Sequence, residues 1–215
     1  MTEPIGFLFD LDGVIIDSEP GYNIFWGGVF AHYYPDQPEL HRAIKGQTLT
    51  EIYRRFYPDP ELQELITQQL NAFEKDMEMP WVEGFVEFAK AIRQAGYRSC
   101  IVTSSNEPKM NSVFRQHPEL PQLIDEIVTA EDFKESKPSP ECYLKGAERL
   151  GIPIHQCIAF EDSLNGLQSA RSSGAYVVGL TTSLPATTIQ HLCHLTINNF
   201  RKTTPVELVG TLKIQ

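Results

Sequence analysis

A chain of 215 residues that is 41% hydrophobic and 21% charged holds enough apolar mass for a sizeable core and is unlike a disordered polymer. Its formal net charge of −10 disfavours non-specific attraction to nucleic acid or to an anionic membrane, and no segment reaches membrane-spanning length. The four cysteines, Cys100, Cys142, Cys157 and Cys193, include no C-x-x-C pair and sit in apolar or helical settings, so reduced thiols in a cytoplasmic protein are expected.

Ile5 to Phe9 is an uninterrupted apolar run and predicts a strand buried on both faces of a sheet. It stops at Asp10 and Asp12, and Gly13 then permits a tight turn. From Asp17 to about Trp81 the texture is helical. One helix is expected from Glu19 through His32, another after Thr48, and a third opening at Asp59-Pro60, with Leu62, Leu65, Ile66, Leu70 and Phe73 on its buried face. Trp26 and Trp81 read as packing residues. From Pro80 onward strands alternate with helices. Phe85 to Ile92 predicts a helix ended by Gly96, then come the strand Ser99–Val102 and a helix from Glu107-Pro108 with Met110, Val113 and Phe114 buried. A short strand over Glu126–Thr129 precedes a helix capped by Ser139-Pro140 that carries Tyr143, Leu144, Ala147 and Leu150. Next are the strand Cys157–Phe160, a helix capped by Ser163 that carries Leu164, Leu167 and Ala170, and the strand Tyr176–Leu180. An edge strand near Leu195–Ile197 and a helix after Pro205 complete the chain, and His191 and His194 read as surface or packing residues. This alternation implies an α/β fold with a parallel sheet. The helical stretch then becomes an insertion, so residues 1–16 and 82–215 would form the core and residues 17–81 a cap over the carboxyl ends of the strands.

Acids at strand ends carry the chemistry. Asp10 and Asp12 can hold a hard cation such as Mg²⁺, and can divide a phosphoryl transfer between a nucleophile and a proton shuttle. Glu161-Asp162 ends another apolar strand, and two acidic pairs close together would repel without a cation between them. Asp162 is the expected direct ligand and Glu161 a secondary one. Thr103, with Ser104, Ser105 and Asn106 before a helix, offers hydroxyl and amide donors for phosphate oxygens. Lys137, stiffened by Pro138 and Pro140, can pair with both a carboxylate nucleophile and a transferring phosphoryl group. Lys45-Gly46 forms a short polar turn between two of the helices.

Taken together, Asp10-Leu11-Asp12-Gly13-Val14, Thr103, Lys137 in Lys137-Pro138-Ser139-Pro140, and Glu161-Asp162-Ser163-Leu164-Asn165-Gly166 resemble, in order, the four motifs of the haloacid dehalogenase superfamily. The helical insertion resembles the subgroup of β-phosphoglucomutases and small sugar-phosphate phosphatases. The resemblance implies a Rossmann-like core with a helical cap, dependence on Mg²⁺, and an aspartyl-phosphate intermediate formed on Asp10. It also implies that Asp12 gives its backbone carbonyl to the metal while its side chain acts as acid and base. Dehalogenases of this superfamily lack that second acid.

Within the subgroup, β-phosphoglucomutases carry a His after the first motif and an Arg ending the cap loop after its Lys-Gly. The corresponding positions here are Tyr22 and Leu49, Lys45-Gly46 is kept and by this resemblance is a candidate for substrate contact, and Asp17-Ser18-Glu19-Pro20 is more similar to phosphatase members. The expected function is a phosphatase acting on a small phosphorylated metabolite, a sugar phosphate in the first instance, with the phosphosugar mutase as the alternative. A phospho-aspartate switch of the response-regulator kind is the reading from another class. It fits less well, because receivers place the phosphoacceptor on a later strand and have no insertion.

Overall fold

The structure, a computed structural model, describes residues 4–44 and 47–212. Six strands, β1 (Gly6–Phe9), β2 (Arg98–Val102), β3 (Glu126–Val128), β4 (Cys157–Glu161), β5 (Tyr176–Leu180) and β6 (Leu195–Ile197), form one sheet in the order β3-β2-β1-β4-β5-β6. Every neighbouring pair is parallel. The helices in chain order are α1 (Glu19–Tyr33), α2 (Leu49–Phe56), α3 (Pro60–Asp76), α4 (Phe85–Gln94), α5 (Glu107–Gln116), α6 (Leu120–Leu123), α7 (Glu141–Leu150), α8 (Leu164–Ser173), α9 (Ala186–Ile189) and α10 (Pro205–Leu212). This is a Rossmann-like α/β fold.

β1 lies at the centre because each of its side chains finds an apolar layer. Phe7 and Phe9 point to one face and Leu8 to the other, as the two-residue period of a strand requires. Phe9 stacks on Phe160 of β4 with ring centroids 4.7 Å apart and meets Phe85 of α4 edge-on at 5.5 Å. Leu8 packs with Cys100, Ala159, Ala147 and Leu167 on the opposite face. β1 is followed in the sheet by β2 on one side and β4 on the other, so the winding reverses at β1. In open parallel sheets that reversal leaves a crevice beyond the carboxyl ends of the strands. Asp10 therefore emerges at the crevice, held there by its amide, which donates to the Phe160 carbonyl at 3.0 Å.

Between β1 and β2, α1, α2 and α3 enclose an apolar cluster of their own that includes Trp26, Phe30, Ile52, Phe56, Ile66 and Leu70. The chain enters and leaves this segment as two adjacent antiparallel passes. The Asp17 amide donates to the Pro80 carbonyl at 2.7 Å, and the Val82 amide donates to the Ile15 carbonyl at 2.9 Å. Asp59 caps α3, accepting from the Glu61 amide, and Pro60 fills its first turn.

Some local expectations need correction. Leu65, placed on the apolar face of its helix, is exposed by 46%, and Leu144 and Leu164 are exposed by 44% and 46%. Leu65 is one residue, or about 100°, off the stripe made by Ile66 and Leu70, Leu144 is likewise one residue past the buried Tyr143, and Leu164 lies on the first turn of α8. At the start of α7 the cap position is held by Pro140, one residue after Ser139. His194 stacks on Tyr176 with centroids 4.6 Å apart and accepts from the Val177 amide at 2.8 Å, so it ties β5 to the turn before β6.

Candidate active site

Loops after β1, β2 and β4, together with the segment before α7, bring the sequence-derived residues to one crevice. Lys137 lies under Asp10. Its ammonium reaches Asp10 Oδ1 at 2.7 Å, Glu161 Oε1 at 2.5 Å and the Val102 carbonyl at 3.2 Å, which engages all three of its protons. Lys137 is 1% exposed and Glu161 0%, so neither charge has solvent to fall back on. Burial pulls the Lys137 ammonium down, but Asp10 and Glu161 outweigh it and hold it above the usual lysine range.

Glu161 is the anchor of this arrangement. Oε1 also accepts from the Tyr143 hydroxyl at 2.9 Å, while Oε2 accepts from the amides of Asp162 and Ser163 at 3.1 and 3.3 Å. With both oxygens engaged, Glu161 is the least available of the acids as a metal ligand. Gly166 allows it to sit there, because a Cβ at that position would overlap the Glu161 carboxylate. A Lys137→Met substitution removes the counter-charge and strands Glu161. The expected loss is about 3–5 kcal/mol of stability, the usual cost of breaking a buried ion pair on one side. Urea denaturation would measure it.

Asp10, Glu161 and Asp162 offer carboxylate oxygens that all lie within 4.8 Å of one another. Burial, opposed by Lys137 and reinforced by Glu161 and Asp12, pushes Asp10 up to about 7. Burial and then the charges of Glu161 and Asp10 drive Asp162 well above the usual carboxylate range. Buried carboxylates this close together are a donor set suited to a hard divalent cation. The turn at Gly13 has φ +74°, and a Cβ there would overlap the Asp162 carboxylate, so glycine keeps the cradle open. Ser183 donates to Asp162 and orients it.

Asp12 faces the other way, into a cleft of about 450 Å³ between the strand ends and the inserted helices. Its carboxylate accepts from Ser18, from Ser105 Oγ at 3.1 Å, and from the Lys109 ammonium on both oxygens. Lys109 is a residue that the sequence reading missed. The signal was its place four residues before Val113, on the buried stripe of α5. Thr103, 1% exposed, accepts the Ser105 amide at 3.0 Å, and Ser104 lines the same cleft. Asn106 lines the cleft as well, but its side-chain oxygen caps α5, taking the Lys109 amide at 3.1 Å. From the inserted helices Tyr22, Trp26, Leu49, Ile52, Leu70 and Glu74 complete the walls, so Trp26 both packs and lines the cleft. Lys45 and Gly46 lie outside the described residues. A second bridge between the two parts is made by Glu51 of α2, which accepts from the hydroxyl of Ser136 and from its amide at 3.3 Å, next to Lys137.

Residues 7–180 match the model of the haloacid dehalogenase-like hydrolase family, most of the chain. The chain belongs to this family. Among its relatives, the fructose-1-phosphate phosphatase YqaB of Escherichia coli (strain K12) is 29% identical over 179 residues, covering 79% of this chain and 92% of that protein. A validoxylamine A 7′-phosphate phosphatase of Streptomyces hygroscopicus subsp. limoneus is 30% identical over 183 residues, covering 82% of this chain and 85% of that protein. A solved structure described as a putative β-phosphoglucomutase from Bacteroides vulgatus superposes with a TM-score of 0.81 at 22% identity, covering 99% of this chain and 91% of that one. The fold is thus that of the β-phosphoglucomutase-like members of the haloacid dehalogenase-like hydrolases. Among the described residues no helix is long and apolar enough to cross a membrane.

Proposed function

We propose that this hydrolase is a Mg²⁺-dependent phosphatase that removes phosphate from a small metabolite, a sugar phosphate in the first instance, through an aspartyl phosphate on Asp10. The chain is a phosphoric monoester hydrolase, and the observation that carries the finer reading is the division of labour between its two first-motif acids. Asp10 is pinned by Lys137 beside the acidic donor set, whereas Asp12 is turned into the cleft by hydroxyl and ammonium donors.

In the first step a carboxylate oxygen of Asp10 attacks phosphorus and the ester P–O bond breaks. The departing oxygen takes its proton from Asp12. In the second step Asp12 removes a proton from water, which attacks phosphorus, frees inorganic phosphate and restores the Asp10 carboxylate. Thr103 and Ser104 donate to the phosphoryl oxygens, and Lys137 offsets the charge shared by Asp10 and those oxygens. Asp10, Asp162 and the backbone carbonyl of Asp12 would hold Mg²⁺, with Glu161 behind them. The ion supplies charge neutralisation where phosphate oxygens meet carboxylates. Residues 17–81 act as a cap that carries the walls facing the leaving group.

The cleft favours hydrolysis over mutation of a sugar phosphate. A mutase grips a second phosphate, and the only Lys or Arg among the described cleft residues is Lys109, already paired with Asp12. Tyr22 and Leu49 add a phenol and an alkyl wall, and Glu74 and Asn23 suit the hydroxyls of an uncharged body. The unpaired thiols fit a reducing cytoplasm.

Phosphate release from a panel of sugar and polyol monophosphates tests the reading. Release should be abolished by excess chelator and restored by Mg²⁺, and full activity in chelator would count against it. Asp162→Asn should raise the Mg²⁺ concentration needed for half-maximal activity, and an unchanged requirement would point to another ligand.

A further inference from the structure

Lys109 is 4% exposed, yet it sits on the first turn of a helix whose neighbouring Met110 and Val113 are core residues. An ammonium so buried requires an anion, and its anion is Asp12, held through both carboxylate oxygens. The Tyr22 ring of α1 covers the ammonium at 4.3 Å, a cation–π contact. The Tyr22 hydroxyl in turn donates to Glu74 of α3 at 2.6 Å. A continuous path therefore runs from Asp12 through Lys109 to Tyr22 and Glu74, two members from the sheet side of the cleft and two from the inserted helices.

We infer that Lys109 is a positioning residue for the acid–base carboxylate of Asp12, and that the Tyr22–Glu74 pair holds Lys109 in place, so that the inserted helices set where the proton is delivered. The inference rests on the phosphatase reading above. Ser18 and Ser105 each reach one oxygen of Asp12 through a single hydroxyl, whereas the Lys109 ammonium spans both oxygens and adds a full charge to the hold on the carboxylate plane. Orientation of this kind matters because proton transfer demands hydrogen-bond reach of the departing oxygen, and a displacement of about 1 Å can cost roughly 10²-fold in rate. Burial, with the charges of Asp12 and Glu74, holds the Tyr22 phenol well above its usual range, so it remains a donor to Glu74. Lys109 itself passes no proton to the substrate.

Leaving-group chemistry separates this role from a structural one. An alkyl phosphate releases an alkoxide that needs a proton, and 4-nitrophenyl phosphate releases a phenolate that does not. With Lys109→Met the pre-steady-state formation of the aspartyl phosphate should slow by about 10–10²-fold for the alkyl ester and by less than about threefold for the nitrophenyl ester. Lys109→Arg should recover part of the alkyl-ester rate. Tyr22→Leu should show the same selectivity, more weakly. If the methionine variant does not fold, Lys109→Gln provides the same comparison, with single-turnover release of nitrophenol as its control for an intact site. Equal losses on both esters, or no loss on either, in the presence of an active parent protein would overturn the inference alone. Absence of phosphate release from both esters by the parent protein would overturn the phosphatase reading and this inference with it.

Discussion

Asp10→Asn is expected to abolish turnover while leaving the fold intact. The amide is a poor nucleophile and a weak ligand for a hard cation, so kcat should fall on the order of 10⁴-fold or more, the scale seen when a covalent nucleophile is removed. The fold should not suffer, and the sign of the effect follows from electrostatics. Asp10 carries a carboxyl raised from 3.8 to about 7, mainly by burial. An acid whose pKa is raised on folding costs stability as pH climbs through that interval, because the unfolded chain ionises it first. Without divalent cations, the Asn variant should therefore match or exceed the parent in denaturant resistance at and above pH 7. Substantial residual activity in a purified Asn variant would remove Asp10 from the mechanism. A large loss of stability would show that its pairing with Lys137 outweighs burial and repulsion.

Asp12→Ala is expected to slow both halves of the reaction, by roughly 10²–10⁴-fold each, if its carboxyl gives the proton to the leaving oxygen and later takes one from water. The substitution also leaves Lys109 without its anion in a buried site, so some stability should be lost, and Asp12→Asn, which retains hydrogen-bonding capacity, is the milder comparison. Rapid-quench measurements should find formation and breakdown of the phosphorylated protein both slowed. Breakdown alone would mean that the leaving oxygen draws its proton from another group.

The sheet was readable because a strand buried on both faces leaves an unbroken apolar run, and the acids that end those runs mark the crevice. Asp10, Asp12 and the Glu161-Asp162 pair are legible for that reason. Periodicity was weaker at helix edges. Leu65 and Leu144 each lie next to a buried residue, and a one-residue rotation carries a leucine from the core to solvent. Partners hidden by ordinary identity were harder still. Lys109 reads as a solvated charge until α5 is laid against the Asp12 loop, and Tyr143 reads as core although its hydroxyl must find an acceptor, which is Glu161. Ser183, far along the chain from Asp162, gives no local sign of its contact. Asn106 was read for phosphate contact, and the same side chain is engaged as a helix cap.

Product analysis after incubation with a hexose 1-phosphate and Mg²⁺ tests the central claim most directly. The described walls that face the leaving group include Tyr22, Leu49 and Glu74, which suit an uncharged sugar better than a second phosphate, so inorganic phosphate and free sugar should accumulate in equal amounts. Hexose 6-phosphate as the main product, dependent on a trace of sugar bisphosphate, would contradict the account and assign the site to a mutase.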